Sequence, residues 1–154
     1  MRDSDDALTV VGLMLEAHRG LVQRLAAVHQ QHQLQGKEFD MLLRVLRAGD
    51  EGHRMSDLAA QTGTSTSGVT SIVDRLESRG LLHRRPHGTD RRSTVVSLTP
   101  AGRRLVDADL AALHPVIEEA LSPLGSEQAN FAAALRRLRD HLTPNATDRH
   151  DAAQ

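Results

Sequence analysis

Residues 55–101 hold the tightest constraint in this chain: two helical patterns split by a glycine, two extended runs around a turn-rich tip, and a new helix start. In SDLAAQTGTSTSGVTSIVDRLESRGLLHRR, Ser56 is placed to cap a short helix with Leu58 and Ala59 facing inward, and Gly63 supplies a left-handed stop. In the second helix Val69, Ile72, Val73 and Leu76 fall at i, i+3, i+4 and i+7, a single buried stripe. Helical rotation then puts Ser67, Thr70, Ser71 and Asp74 on the outward side, with Ser65 and Thr66 at the helix start. Short hydroxyl side chains let a helix sink into a major groove and still bond to base edges and phosphates. The plainer alternative is an ordinary solvated helix face.

The hairpin that follows tips the balance. Leu81, Leu82, His83, Arg84, Arg85 and Pro86 form an extended run, His87, Gly88, Thr89 and Asp90 a turn-rich tip, and residues 94–98 a β-branched return strand. Thr99 then caps a helix with Pro100 in its first turn. Arg84, Arg85, Arg91 and Arg92 face a single acid, Asp90, across the hairpin. Phosphates or a narrow minor groove are the natural counter-surface for such an edge, with His87 beside them. Ion pairs to Asp74 and Glu77 are the competing use of these arginines. Arg75, next to the apolar stripe, divides evenly between pairing with a carboxylate and reaching DNA.

The run 56–99, with VTSIVDRLESRGLLHR, then DRR at Asp90, Arg91 and Arg92, then VSLTPAG, resembles the winged-helix core of the MarR family of bacterial transcriptional regulators. The resemblance is specific because four motifs occur in the family's order; the flanking helices match through length and pattern only. It implies that Arg92 reaches the minor groove and that Asp90 props the wing, while Arg91 falls where the family varies. It also implies a homodimer on a pseudo-palindromic operator, with repression as the usual mode. A small aromatic or carboxylated effector would bind between the dimer helices and the winged module.

Composition narrows the classes further. Over residues 54–104 there are nine arginines and four acids, so the near-neutral whole chain, at −1, does not argue against DNA. Phe39 and Phe131 are the only aromatic residues apart from histidine, which disfavours binders that stack single-stranded bases. Cysteine is absent, so neither a disulfide nor a thiol sensor is possible. No leader and no run of eighteen apolar residues is seen, which points to the cytoplasm and away from membranes. No phosphate-cradling loop, nucleophile elbow or triad order is visible, so neither an enzyme nor a cofactor is expected.

The expected architecture is mainly α with a small β-wing. Residues 36–99 form the winged helix-turn-helix, 7–35 and 100–142 the long dimerisation helices, and 143–154 a disordered tail. The first helix carries Val11, Leu15, Val22 and Leu25 on one side and ends at Gly36; the second buries Phe39, Leu42, Leu43 and Leu46. Pro115 is expected to kink or interrupt the long helix after the wing, and Ser126 to open the last. Leu105, Leu110, Leu113, Val116, Ile117, Leu121 and Leu124 exceed what a winged module covers, which favours self-association. His18, His29 and His32 interrupt the apolar side of the first helix. They read as core or interface histidines, or as an effector pocket in which His18 and Arg19 hold an anion or phenol. A metal site from His29, His32 and His114, making a metal-responsive regulator, has incomplete spacing. A winged helix serving as a protein-interaction module is the remaining alternative.

Overall fold

The computed structural model describes residues 2–62, 64–86 and 94–142, in two compact units that divide after Val116. The first opens with a long helix, α1 (Arg2–Gln31). Its end is not made by Gly36. Gln33 takes the left-handed conformation (φ 56°), its N–H donates to the Gln30 carbonyl at 3.0 Å, and the Leu34 N–H reaches back to the His29 carbonyl at 2.8 Å. This pair of bonds satisfies carbonyls that the helix end would leave open, and buried Leu34 joins Val28 in the core. Gly36 instead begins α2 (Gly36–Arg47), whose first turn is closed by the Glu38 carboxylate accepting the Gln35 N–H at 3.0 Å. In α2 the buried set is Phe39, Met41, Leu42 and Val45, while Leu43 and Leu46 pack at the core's edge.

A 3-10 turn (Gly49–Glu51) leads into a two-residue strand that the sequence pattern did not reveal, β1 (His53–Arg54). The helix-turn-helix follows as α3 (Met55–Thr62) and α4 (Thr66–Ser78), and the hairpin as β2 (Leu82–Pro86) and β3 (Thr94–Leu98). The sheet order is β1-β3-β2, antiparallel, with His53 opposite Val96 and Arg84 opposite Val96 on the other side. Gly52 makes the entry to β1 possible: φ is 76°, and a Cβ there would lie 2.5 Å from Ser97 Oγ and 2.7 Å from the Val96 carbonyl oxygen. Ser56 does not cap α3; it sits inside the first turn, and its hydroxyl donates to Asp57 Oδ1 at 3.1 Å. Gly63, assigned the inter-helix stop, lies outside the described residues.

The expected stripe of α4 is realised, with Val69, Ile72, Val73 and Leu76 buried against Leu42, Val45, Leu58 and Leu82 in one core. Thr99 caps the next helix, α5 (Pro100–Leu121), by accepting the Gly102 N–H at 2.9 Å. Gly102 is required by contact, since a Cβ would fall 2.0 Å from the Leu81 carbonyl oxygen. Pro115 does not interrupt α5, which continues to Leu121. In the second unit a 3-10 segment (Ser122–Glu127) breaks at Gly125 (φ 47°), and the last helix, α6 (Gln128–Leu142), starts two residues later than Ser126. The expected tail, 143–154, is outside the described residues.

Candidate nucleic-acid interface

Helix α4 presents its hydroxyls as its periodicity requires, and the structure divides them by task. Ser65 is the N-cap: its Oγ accepts the Gly68 N–H at 3.2 Å and lies 3.1 Å from Ser67 Oγ. Thr66, Ser67 and Ser71 are exposed. Thr70 is half-buried and donates its hydroxyl to the Thr66 carbonyl at 2.9 Å, which leaves its oxygen free to accept. Ser71 Oγ accepts from the Arg75 guanidinium at 3.3 Å. A cleft of about 590 Å³ runs beside this face, lined by Arg54, Ser56, Thr66, Thr70, Arg84 and Thr94 among others. The N-terminus of α4 and Arg54 therefore face the same open space, a suitable place for an anionic backbone.

The arginines are less available than their number suggests. Arg84 bonds through its guanidinium to Glu77 and, at 2.6 Å, to Asp74 Oδ1, while its backbone N–H donates to Glu77 Oε1 at 3.0 Å. It thus ties β2 to α4 and neutralises two carboxylates beside the outward hydroxyl face of α4. Arg85 points elsewhere, donating to Ser97 Oγ at 3.3 Å and to the Glu51 carbonyl at 2.8 Å, which fastens the hairpin to the 3-10 turn. Arg75 is held by the buried Glu38 carboxylate, with Nε 3.3 Å from Oε1. His87, Asp90, Arg91 and Arg92, the expected wing tip, lie outside the described residues.

The sequence model of the MarR family matches residues 32–93, from just before α2 to the residue preceding β3. Over this stretch the chain is similar to the MarR family. It is 29% identical over 142 residues to the HTH-type transcriptional regulator PecS of Dickeya dadantii, covering 91% of the chain and 86% of PecS. Its fold matches that of a mutant MarR from E. coli complexed with operator DNA, with TM-score 0.76, 18% identity, and 87% and 96% of the two chains covered. It also matches CouR of Rhodococcus jostii bound to p-coumaroyl-CoA, with TM-score 0.72, 22% identity, and 88% and 93% covered. The relatives are transcriptional regulators, and this chain is a DNA-binding transcriptional regulator like them. Among the described residues, no helix is long and apolar enough to cross a membrane.

The histidines of this regulator separate. His29 is a core residue: its Nδ1 lies 2.8 Å from Asp109 Oδ2 on α5, both buried, and its ring stacks on Phe39 with centroids 4.5 Å apart. This joins α1, α2 and α5 at one point. His32 is half-buried and His114 exposed, and the described residues bring no three metal-ligating side chains together, so the His29, His32 and His114 grouping is not formed. His18 and Arg19 are exposed on α1. Sequence reasoning missed Glu38 and Asp109. Both had a signal: Glu38 stands three residues after a helix cap, and Asp109 interrupts the stripe Val106, Leu113 on α5.

Proposed function

We propose that two copies of this chain, paired through their helical arms, place two α4 helices in successive major grooves of a pseudo-palindromic operator and repress the adjacent gene. The observation that carries this is α4 itself, whose apolar stripe is wholly buried while Ser65, Thr66, Ser67 and Ser71 stay open beside a cleft lined by Arg54. Thr70 and Ser71 are the candidates for base contact, and Ser65, Thr66 and Ser67 for phosphates at the helix start. Arg84 and Arg85 act by fixing the hairpin rather than by touching DNA. Arg92 carries the minor-groove contact, with Asp90, Arg91 and His87 shaping the tip. The regulator acts in the cytoplasm, without a catalytic step.

The regulatory input is a small anionic or phenolic molecule held by His18 and Arg19, exposed side chains on an apolar arm that a second copy would cover. Two neighbours in fold, one complexed with operator DNA and one bound to p-coumaroyl-CoA, support such a pairing of DNA and ligand binding. The decisive measurement is operator affinity against salt. Arg92→Ala should cost about 1 to 3 kcal/mol and flatten the salt slope by about one unit without changing dimerisation. Unchanged affinity at two salt concentrations overturns the wing assignment. His18→Leu should keep operator binding and lose the release produced by the ligand; a full ligand response in that variant removes His18 from the site.

A further inference from the structure

The chain contains a buried carboxylate that the reading of the DNA face does not use directly. Glu38 sits in the first turn of α2, almost wholly buried. One of its oxygens accepts the Gln35 N–H at 3.0 Å and lies 3.5 Å from Arg79 Nη1; the other lies 3.3 Å from Arg75 Nε. Arg75 in turn donates from Nη1 to Ser71 Oγ at 3.3 Å. Thus an acid at the base of α2 grips an arginine of α4, and that arginine grips a hydroxyl on the outward face. A buried carboxylate is costly unless it is paired and hydrogen-bonded, and here three donors meet that demand: the Gln35 N–H at the cap of α2, Arg75 of α4 and Arg79 at the cap that ends α4.

The chemistry of Arg75 gives this chain of contacts a consequence. Its side chain is half exposed and stands on the recognition helix, so an unpaired guanidinium there would reach for any phosphate, whatever the base sequence. Bound to Glu38, it is withdrawn from that role and serves as a strut for Ser71. We infer that Glu38 is a positioning residue for sequence discrimination: it suppresses indiscriminate phosphate binding by Arg75 and holds Ser71 in one orientation toward the bases. The inference rests on α4 being the DNA-reading element.

Glu38→Gln tests it, because the amide keeps an acceptor for the Gln35 N–H and nearly the same volume but removes the charge. Measured by fluorescence anisotropy on an operator selected by the wild type and on random duplex, the variant should bind random DNA about five- to tenfold more tightly at 0.1 M salt. Its random-DNA salt slope should steepen by about one unit, as one added phosphate contact requires, and its preference for operator over random DNA should fall. In Glu38→Gln/Arg75→Ala the steeper slope should vanish. A slope and preference equal to those of the wild type overturn the inference, as does a steep slope that survives in the double variant. If Glu38→Gln does not fold, Arg75→Lys serves: charge is kept, but an ammonium lacks the planar fork that spans Glu38 and Ser71, so preference should fall, and unchanged preference overturns the inference. Ser71→Ala separates the two levels. If it and Thr70→Ala both leave the ranking of operator variants unchanged, α4 reading fails and the Glu38 inference fails with it; if the ranking changes while Glu38→Gln behaves as wild type, only the Glu38 inference fails.

Discussion

Helices α1 and α4 carry the same kind of apolar stripe and meet opposite fates. On α4, Val69, Val73 and Leu76 are 0% exposed and Ile72 7%. On α1, Val11, Leu15 and Val22 are 53%, 59% and 47% exposed, and Leu8 and Leu13 are more exposed still. Only the C-terminal end of α1, with Leu25 and Val28, enters the core. Periodicity of apolar residues states that a helix has a face to bury, and says nothing about which surface buries it. The α4 stripe is completed by α2, α3 and the hairpin of its own chain. So long an apolar face on α1 is costly in water, and the proposed pairing of two copies would cover it.

The comparison can be broken at several points. The largest effect is expected where the arm is tied to the module. His29→Ala leaves the Asp109 carboxylate buried without its partner and should cost about 3 to 5 kcal/mol in denaturant unfolding; a loss under 1 kcal/mol would show that α1 and α5 are held by packing alone. Leu76→Ala, at the centre of the completed stripe, should cost about 2 to 5 kcal/mol, and the loss should not depend on protein concentration.

Leu15→Asp should act in the opposite way. It places a charge where a partner must pack, so light scattering should show dissociation at micromolar concentration, about 2 kcal/mol or more of association lost, with the helical content of α4 and its core intact. If Leu15→Asp stays dimeric, the exposed arm is not the interface. The smallest effects belong to the outward face of α4. Thr70→Ala removes a hydroxyl bonded within the helix and partly exposed, and should change stability by less than about 0.5 kcal/mol while reordering the ranking of operator variants. A uniform loss across all operators would make Thr70 a phosphate contact instead.

Much of the winged module was legible from local pattern. The stripe of α4, the strand 94–98 and the Thr99 cap are each written in a few neighbouring residues, and the structure has them where the pattern put them. The misses share a cause. β1 is two residues long and exists because β3 offers an edge to pair with, so no periodicity could announce it. Pro115 removes a helical donor, at a propensity cost of about 3 kcal/mol, yet α5 continues because burial of Val106 and Leu113 holds the preceding turns in place. The end of α1 was assigned to Gly36 by residue type, whereas backbone bonds to His29 and Gln30 place the left-handed turn at Gln33.

The sequence by itself determined the six helices and the two hairpin strands, their order, and the outward side of α4, because these follow from spacing and from turn residues close along the chain. It also supplied the excess of arginine and the family's motifs. Only the tertiary structure decided what each arginine and histidine does. Arg84 on β2 meets Asp74 and Glu77 on α4, Arg75 meets Glu38 from 37 positions away, and His29 meets Asp109 from 80. Ion pairing depends on distance through space and on the water excluded around the pair, and neither quantity exists until distant parts of the chain have packed together.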